Sequence, residues 1–164
     1  MELPADVVPL LERVVQTPLL KGFPLEIWKG TDHRRWVDAF LEFGSLLYSS
    51  DIREECLPPA YAHVAYLFDW EAQCQFSGWY AFENRAESID RVIEGYSEIG
   101  LRAEAEALSA ALKAWQDSDG SHEATSAAYN ELRHELSVDL DRLEHMVCYF
   151  IDNADRLFYV GNET

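Results

Sequence analysis

The chain has 164 residues, is 48% hydrophobic and holds five Trp, eight Tyr and eight Phe, so it can fill a complete core and is no disordered acidic tail. Against 13 Lys and Arg it carries 30 Asp and Glu, a formal charge of −17. That sign repels phosphate, which excludes direct binding to DNA, to RNA or to an anionic membrane surface.

Helical periodicity runs through the whole sequence and predicts an all-α fold, a single compact helical domain over residues 1–164 with about six to seven helices. Ala5 to Gln16 reads as the first helix, with Val8, Leu11, Val14 and Val15 on its apolar side. Thr17-Pro18 should end it, because the residue before a proline avoids the α region. Pro18 to Gly30 reads as an irregular connection anchored by Leu19, Leu20, Phe23, Leu25, Ile27 and Trp28. Asp32 is placed as the N-cap of a second helix reaching about Tyr48, with Trp36, Phe40, Phe43 and Leu47 among its buried residues. Pro58-Pro59 opens a third, Ala60 to about Cys74, and Ser77-Gly78 should break it where glycine is free to take a positive φ.

An acidic helix follows, from Glu87 to Ile99. Glu87, Asp90, Glu94 and Glu98 recur at spacings of three, four and four, which stacks them on one face. Ile89, Val92, Ile93, Tyr96 and Ile99 take the opposite face, and Arg91 is the only base in the segment. Like charges at i,i+4 cost a few tenths of a kcal/mol per pair, so the helix itself gains nothing from the stripe. Gly100 should stop this helix, and Arg102 to Trp115 forms an alanine-rich one with Ala105, Leu108, Leu112 and Trp115 inward. After the loop Asp117 to Ser121, residues His122 to Asp152 read as one long helix or two abutting ones. Their stripe is Leu132, Leu136, Leu140, Leu143, Val147, Phe150 and Ile151. The tail from Asn153 should dock through Leu157, Phe158 and Tyr159 and then fray.

The charge is uneven along the chain: seven acids meet five bases up to Ser50, and 23 meet eight beyond it. It is also large for the molecule's size. A compact chain of this length is roughly 40 Å across, and a duplex that long bears about 24 phosphates at one per roughly 1.7 Å.

Residues able to do chemistry are scattered. Cys56, Cys74 and Cys148 form no CxxC pair and sit among apolar neighbours, which predicts buried, reduced thiols in a cytoplasmic protein. The start MELPADVVPLLERVV lacks the basic region of a signal peptide, and no apolar run nears the ~20 residues of a membrane helix. Glu131-x-x-His134 has the spacing of a di-iron helical site, but the residues three before His63 and His145 are Ala60 and Arg142, so the second copy is missing. HExxH, a calcium loop, GxSxG and a glycine-rich phosphate loop are all missing too. No metal, cofactor or enzymatic activity is therefore expected. The five tryptophans, at helical spacing, are expected in the core.

One stretch has a family character. Glu71, the turn Gln75-Phe76-Ser77-Gly78-Trp79, then Tyr80, Phe82 and Asn84, followed by Ile99-Gly100 and the run EAEALSAALKAW, resemble a bacterial family of helical domains named after a DNA-mimic protein. Tyr129-Asn-Glu-Leu132 and Leu143-Glu-x-x-Val147-x-x-Phe150 look like that family's closing helices, so the resemblance covers about residues 60–160. The family's turn reads Asn-Asn-Gly-Gly-aromatic; here Gln75-Phe76 replace the asparagines and Ser77 the first glycine. The resemblance implies a non-enzymatic all-α protein whose acidic surface occupies the DNA-binding face of a basic partner, such as a transcription factor or nucleoid protein. The carboxylates assigned to that surface are Glu87, Asp90, Glu94 and Glu98, with Glu83, Glu104 and Glu106 as neighbours. The competing expectation is an immunity-type or adaptor protein that binds a specific partner through an aromatic surface. Pairing as a homodimer is compatible with both.

Overall fold

In the computed structural model, which describes residues 2–161, local signals fix most helix ends. Pro18 stops α1 (Val8–Gln16) by holding Thr17 extended at φ −62°, ψ 146°. The connection after it is irregular, with two short 3₁₀ turns at Pro18–Leu20 and Ile27–Lys29. Helix α2 (His33–Tyr48) begins where the Asp32 carboxylate accepts the Arg34 N–H. Helix α3 (Pro59–Ser77) ends at Gly78, whose φ is +56°. A 3₁₀ turn leads into the one-turn helix α4 (Ala81–Asn84). The acidic helix α5 (Ile89–Glu98) stops at Gly100, where φ is +89°. There follow α6 (Arg102–Asp117), α7 (His122–Glu131), α8 (Asp139–Asp152) and the short α9 (Ala154–Leu157). Among the described residues the only β pairing is one antiparallel bridge between Glu2 and Val160, and the fold is all-α.

These elements gather into two compact units. The first takes the residues up to Asp69 and those from Leu143 onward; the second is Trp70–Arg142. A column of aromatic rings runs through the first unit: Phe40 on Phe68 at 5.2 Å, Phe68 on Phe150 at 5.8 Å and Phe150 on Phe158 at 6.0 Å. Each such pair is worth about 0.5–1.5 kcal/mol beyond its buried area. Gly44 lets α2 approach α3 closely, since a Cβ there would stand 2.5 Å from Phe68 Cβ and 2.8 Å from the Val64 carbonyl. Phe158 and Tyr159 dock as the sequence predicts and Leu157 is half-buried; of the end expected to fray, residues 162–164 lie outside the described residues. In the second unit Trp70, Phe82, Val92, Tyr96, Leu108 and Ala111 form the centre.

Three expectations need correction. His122 to Asp152 is neither one helix nor two abutting ones, because residues 132–138 leave the helical path. His134 is extended (φ −135°, ψ 179°); its ring accepts the Leu136 N–H while Ser137 Oγ accepts the His134 N–H, a reciprocal cap that starts a 3₁₀ turn. Leu132 and Leu140 are consequently exposed rather than part of an apolar stripe. The cysteines are free but not sealed away: Cys56 and Cys148 are exposed and Cys74 is half-buried. Of the tryptophans only Trp28 and Trp70 are fully buried, while Trp36, Trp79 and Trp115 are half-buried.

Candidate functional site

The Trp70–Arg142 unit presents two features built from acidic residues. The outer one is the face formed by α5 and α6. On α5 the period of 3.6 puts Asp90, Glu94 and Glu98 on the solvent side and buries Ile89, Val92 and Tyr96. Ile93 lies at the margin, half-buried. Helix α6 adds Arg102 and Glu106, and all of these line one shallow groove of about 630 Å³. Arg91 stands 3.6 Å from Glu94 and offsets part of its charge. The groove thus gathers four carboxylates and one guanidinium from two helices.

The remaining predicted residues lie elsewhere. Glu87 is exposed but precedes α5, in the turn that Ser88 closes, so it is not part of the helical stripe. Glu83, on α4, faces the His122 ring at 3.1 Å. Glu104 is the clear correction: it is 3% exposed and contributes nothing to the acidic surface. Its neighbours on α6 explain why, because Leu108 and Ala111 follow it at four and seven residues and are both buried.

Glu104 belongs to the inner feature, a buried charge network. Glu71, on α3, is 0% exposed and receives the Arg142 guanidinium in a two-pronged bond, Nε to Oε1 at 2.5 Å and Nη2 to Oε2 at 2.7 Å. The Tyr96 hydroxyl donates to the same carboxylate at 2.5 Å. Arg142 also donates from Nη2 to Asp139 at 3.0 Å and from Nη1 to the Leu136 carbonyl at 3.0 Å. Glu104 accepts from the Tyr129 hydroxyl at 2.8 Å and from His134 Nε2 at 2.7 Å, and the Arg142 Nε lies 3.8 Å away. Because His134 Nδ1 is the acceptor for Leu136 N–H, the ring proton sits on Nε2 and points at Glu104.

Burial pushes the Glu71 carboxyl up, and the Arg142 guanidinium and Tyr96 hydroxyl pull it back. Burial raises Tyr96 well above the ordinary tyrosine range, and burial followed by the Glu104 charge raises Tyr129. Burial likewise pushes the Cys74 thiol well above its ordinary range.

Beside this network opens a pocket of about 240 Å³ whose polar lining includes Glu104, Asp139 and Arg142 and whose walls are aromatic. Glu71 is not among the residues that line it. Among the described residues no group of three His, Cys, Asp or Glu is arranged to hold a metal, and His134 has left the helix that would pair it with Glu131. At the mouth of the Gly78 turn Phe76 is 92% exposed and Tyr80 58%. No helix among the described residues is long and apolar enough to cross a membrane.

The acid excess beyond Ser50 does not become an excess in one unit. Trp70–Arg142 carries 15 acids and six bases, net −9, and the rest of the chain 15 and seven, net −8. What distinguishes the α5–α6 face is arrangement, not quantity. No family model matches this chain, and neither a curated protein nor a solved structure is significantly similar to it.

Proposed function

We propose that this protein is a non-enzymatic acidic mimic of DNA that binds the DNA-reading face of a basic partner, a transcription factor or nucleoid protein, through the α5–α6 groove. The observation that carries the reading is the convergence of Asp90, Glu94, Glu98 and Glu106 on one surface. Carboxylates four residues apart on a helix are about 6 Å apart along its axis, a spacing that lysines and arginines set for phosphates can meet. Association through such a face is steered by charge and weakens with salt.

The test joins capture and competition. Immobilised protein should retain a basic DNA-binding protein from cell extract, release it as salt rises, and lose it to added duplex DNA. Asp90→Lys, Glu94→Lys and Glu98→Lys together should abolish retention while the helical circular dichroism stays unchanged. Equal retention by that triple variant sinks the assignment. The adaptor reading keeps one specific observation, the exposed rings of Phe76 and Tyr80. It predicts retention that salt barely affects and that Phe76→Ala removes.

A further inference from the structure

The aromatic-walled pocket of the Trp70–Arg142 unit has no part in the acidic face. Its volume of about 240 Å³ equals the share of roughly eight waters at ~30 Å³ each. The walls are Trp70, Trp79, Phe82 and Tyr129. Edge-to-face contacts fix their rings: Trp70 meets Phe82 at 5.4 Å and 83°, and Trp79 meets Tyr129 at 5.6 Å and 66°. Such walls favour a ligand with apolar or cationic surface.

The polar side of the pocket decides the sign. Glu104 and Asp139 line it, and Glu71, which does not, shares Arg142 with them: three carboxylates against one guanidinium, a formal excess of two negative charges with one proton on the His134 ring. Arg142 has little left to offer an anion, because Glu71, Asp139 and the Leu136 carbonyl already take four of its N–H bonds. Glu104 is different. Tyr129 and His134 fill two of the roughly four acceptor positions of a carboxylate, and this carboxylate lines the pocket. A cation would meet aromatic side chains, whose π systems attract it, and a charge-assisted hydrogen bond at Glu104. A neutral guest would offer no countercharge to Glu104, which is 3% exposed.

We propose that this pocket binds a guanidinium or ammonium group on a short alkyl chain, with the charge on Glu104 and Asp139 and the chain against the aromatic walls. Two sources share that chemistry, a free small amine or guanidine and the arginine or lysine side chain of a basic protein.

The experiment is a titration of butylguanidinium chloride into the ¹⁵N-labelled full chain, read at the tryptophan indole N–H signals. Saturable shifts at Trp70 and Trp79 are expected, and butylurea, the neutral isostere, should give none. Glu104→Gln should weaken binding about tenfold, and Trp79→Leu, on a half-buried wall residue, about tenfold as well. The Trp79 variant keeps the test open should the Glu104 one fail to fold. An arginine-containing tetrapeptide that binds much more tightly than butylguanidinium assigns the site to a protein's side chain, and equal affinity assigns it to a free small molecule. Lysine substitutions at Asp90, Glu94 and Glu98 should leave these titrations unchanged, so failure here is distinct from failure of the DNA-mimic reading. Absence of saturable shifts below ~10 mM, or equal binding of butylurea, overturns the proposal.

Discussion

Glu104 and Glu106 stand two residues apart on α6, and the first is buried at the wall of the aromatic pocket, held by Tyr129 and His134, while the second lies open on the groove. The same contrast divides the whole Trp70–Arg142 unit. Glu71 and Glu104 have their oxygens met by Arg142, Tyr96, Tyr129 and His134, and Asp90, Glu94, Glu98 and Glu106 face solvent. An identical functional group therefore does two jobs. In a medium of low polarity a carboxylate must be answered within the fold, so it specifies which residues come together. On the surface water screens it and an ion pair such as Arg91 to Glu94 at 3.6 Å adds little, so the charge there asks little of the fold.

The contrast breaks most visibly at Arg142. Arg142→Ala leaves Glu71 with no countercharge at 0% exposure, and the expected loss is about 3–5 kcal/mol. Urea unfolding with an unchanged slope reads it. Glu71→Met combined with Arg142→Met should recover most of that loss, because apolar side chains need no countercharge. A loss below ~1 kcal/mol for the single variant would place the network among ordinary surface pairs.

Alkaline pH sharpens the contrast from another side. Burial holds Tyr61, Tyr96 and Tyr129 above the ordinary tyrosine range. The unfolded chain releases these protons near pH ~10 and the native chain only above it, so stability is complete below ~10 and falls as pH rises beyond. The urea midpoint should drop there, and Tyr129→Phe should make the drop shallower. Tyrosinate absorbance from these residues should grow together with loss of helical signal; growth ahead of it would show that they ionise inside the native protein.

The smallest effect belongs to the outer face. Asp90→Asn, Glu94→Gln, Glu98→Gln and Glu106→Gln, singly, should each change stability by no more than about 0.5 kcal/mol. Glu94→Gln removes both the repulsion from Asp90 and Glu98, four positions away on each side, and the 3.6 Å pairing with Arg91, so the two effects offset. A loss above ~2 kcal/mol at any of them would make that carboxylate structural.

Much of the fold could be read from neighbouring residues alone. Asp32, Pro18 and Gly100 mark helix ends because their signals act within a turn of the chain, and each falls where expected. The interruption at 132–138 was invisible to periodicity, since Leu132, Leu136 and Leu140 keep a helical spacing while the His134 side chain diverts the backbone. Surface acids on α5 were legible from their own period. Glu104 shares the face of Leu108 and Ala111, and an acid on an apolar face calls for a buried donor, a signal that its acidic neighbours obscure. Glu71 carries the same signal, three after Phe68 and four after Leu67, both of which are buried. Which donor answers it, Arg142, lies 71 residues away and depends on the fold as a whole.

Leu136 joins these threads. Its N–H is held by His134, whose ring reaches Glu104, and its carbonyl is held by Arg142, which reaches Glu71. One residue in a short connection thereby holds both arms of the buried network by hydrogen bonds, and Arg142 Nε approaches Glu104 at 3.8 Å between them. The Leu136 amide should accordingly exchange with solvent deuterium only through large-scale opening, as core helices do, and not at the pace of a surface loop. Residues 132–138 are then fastened to the interior of the Trp70–Arg142 unit, unlike an ordinary surface loop.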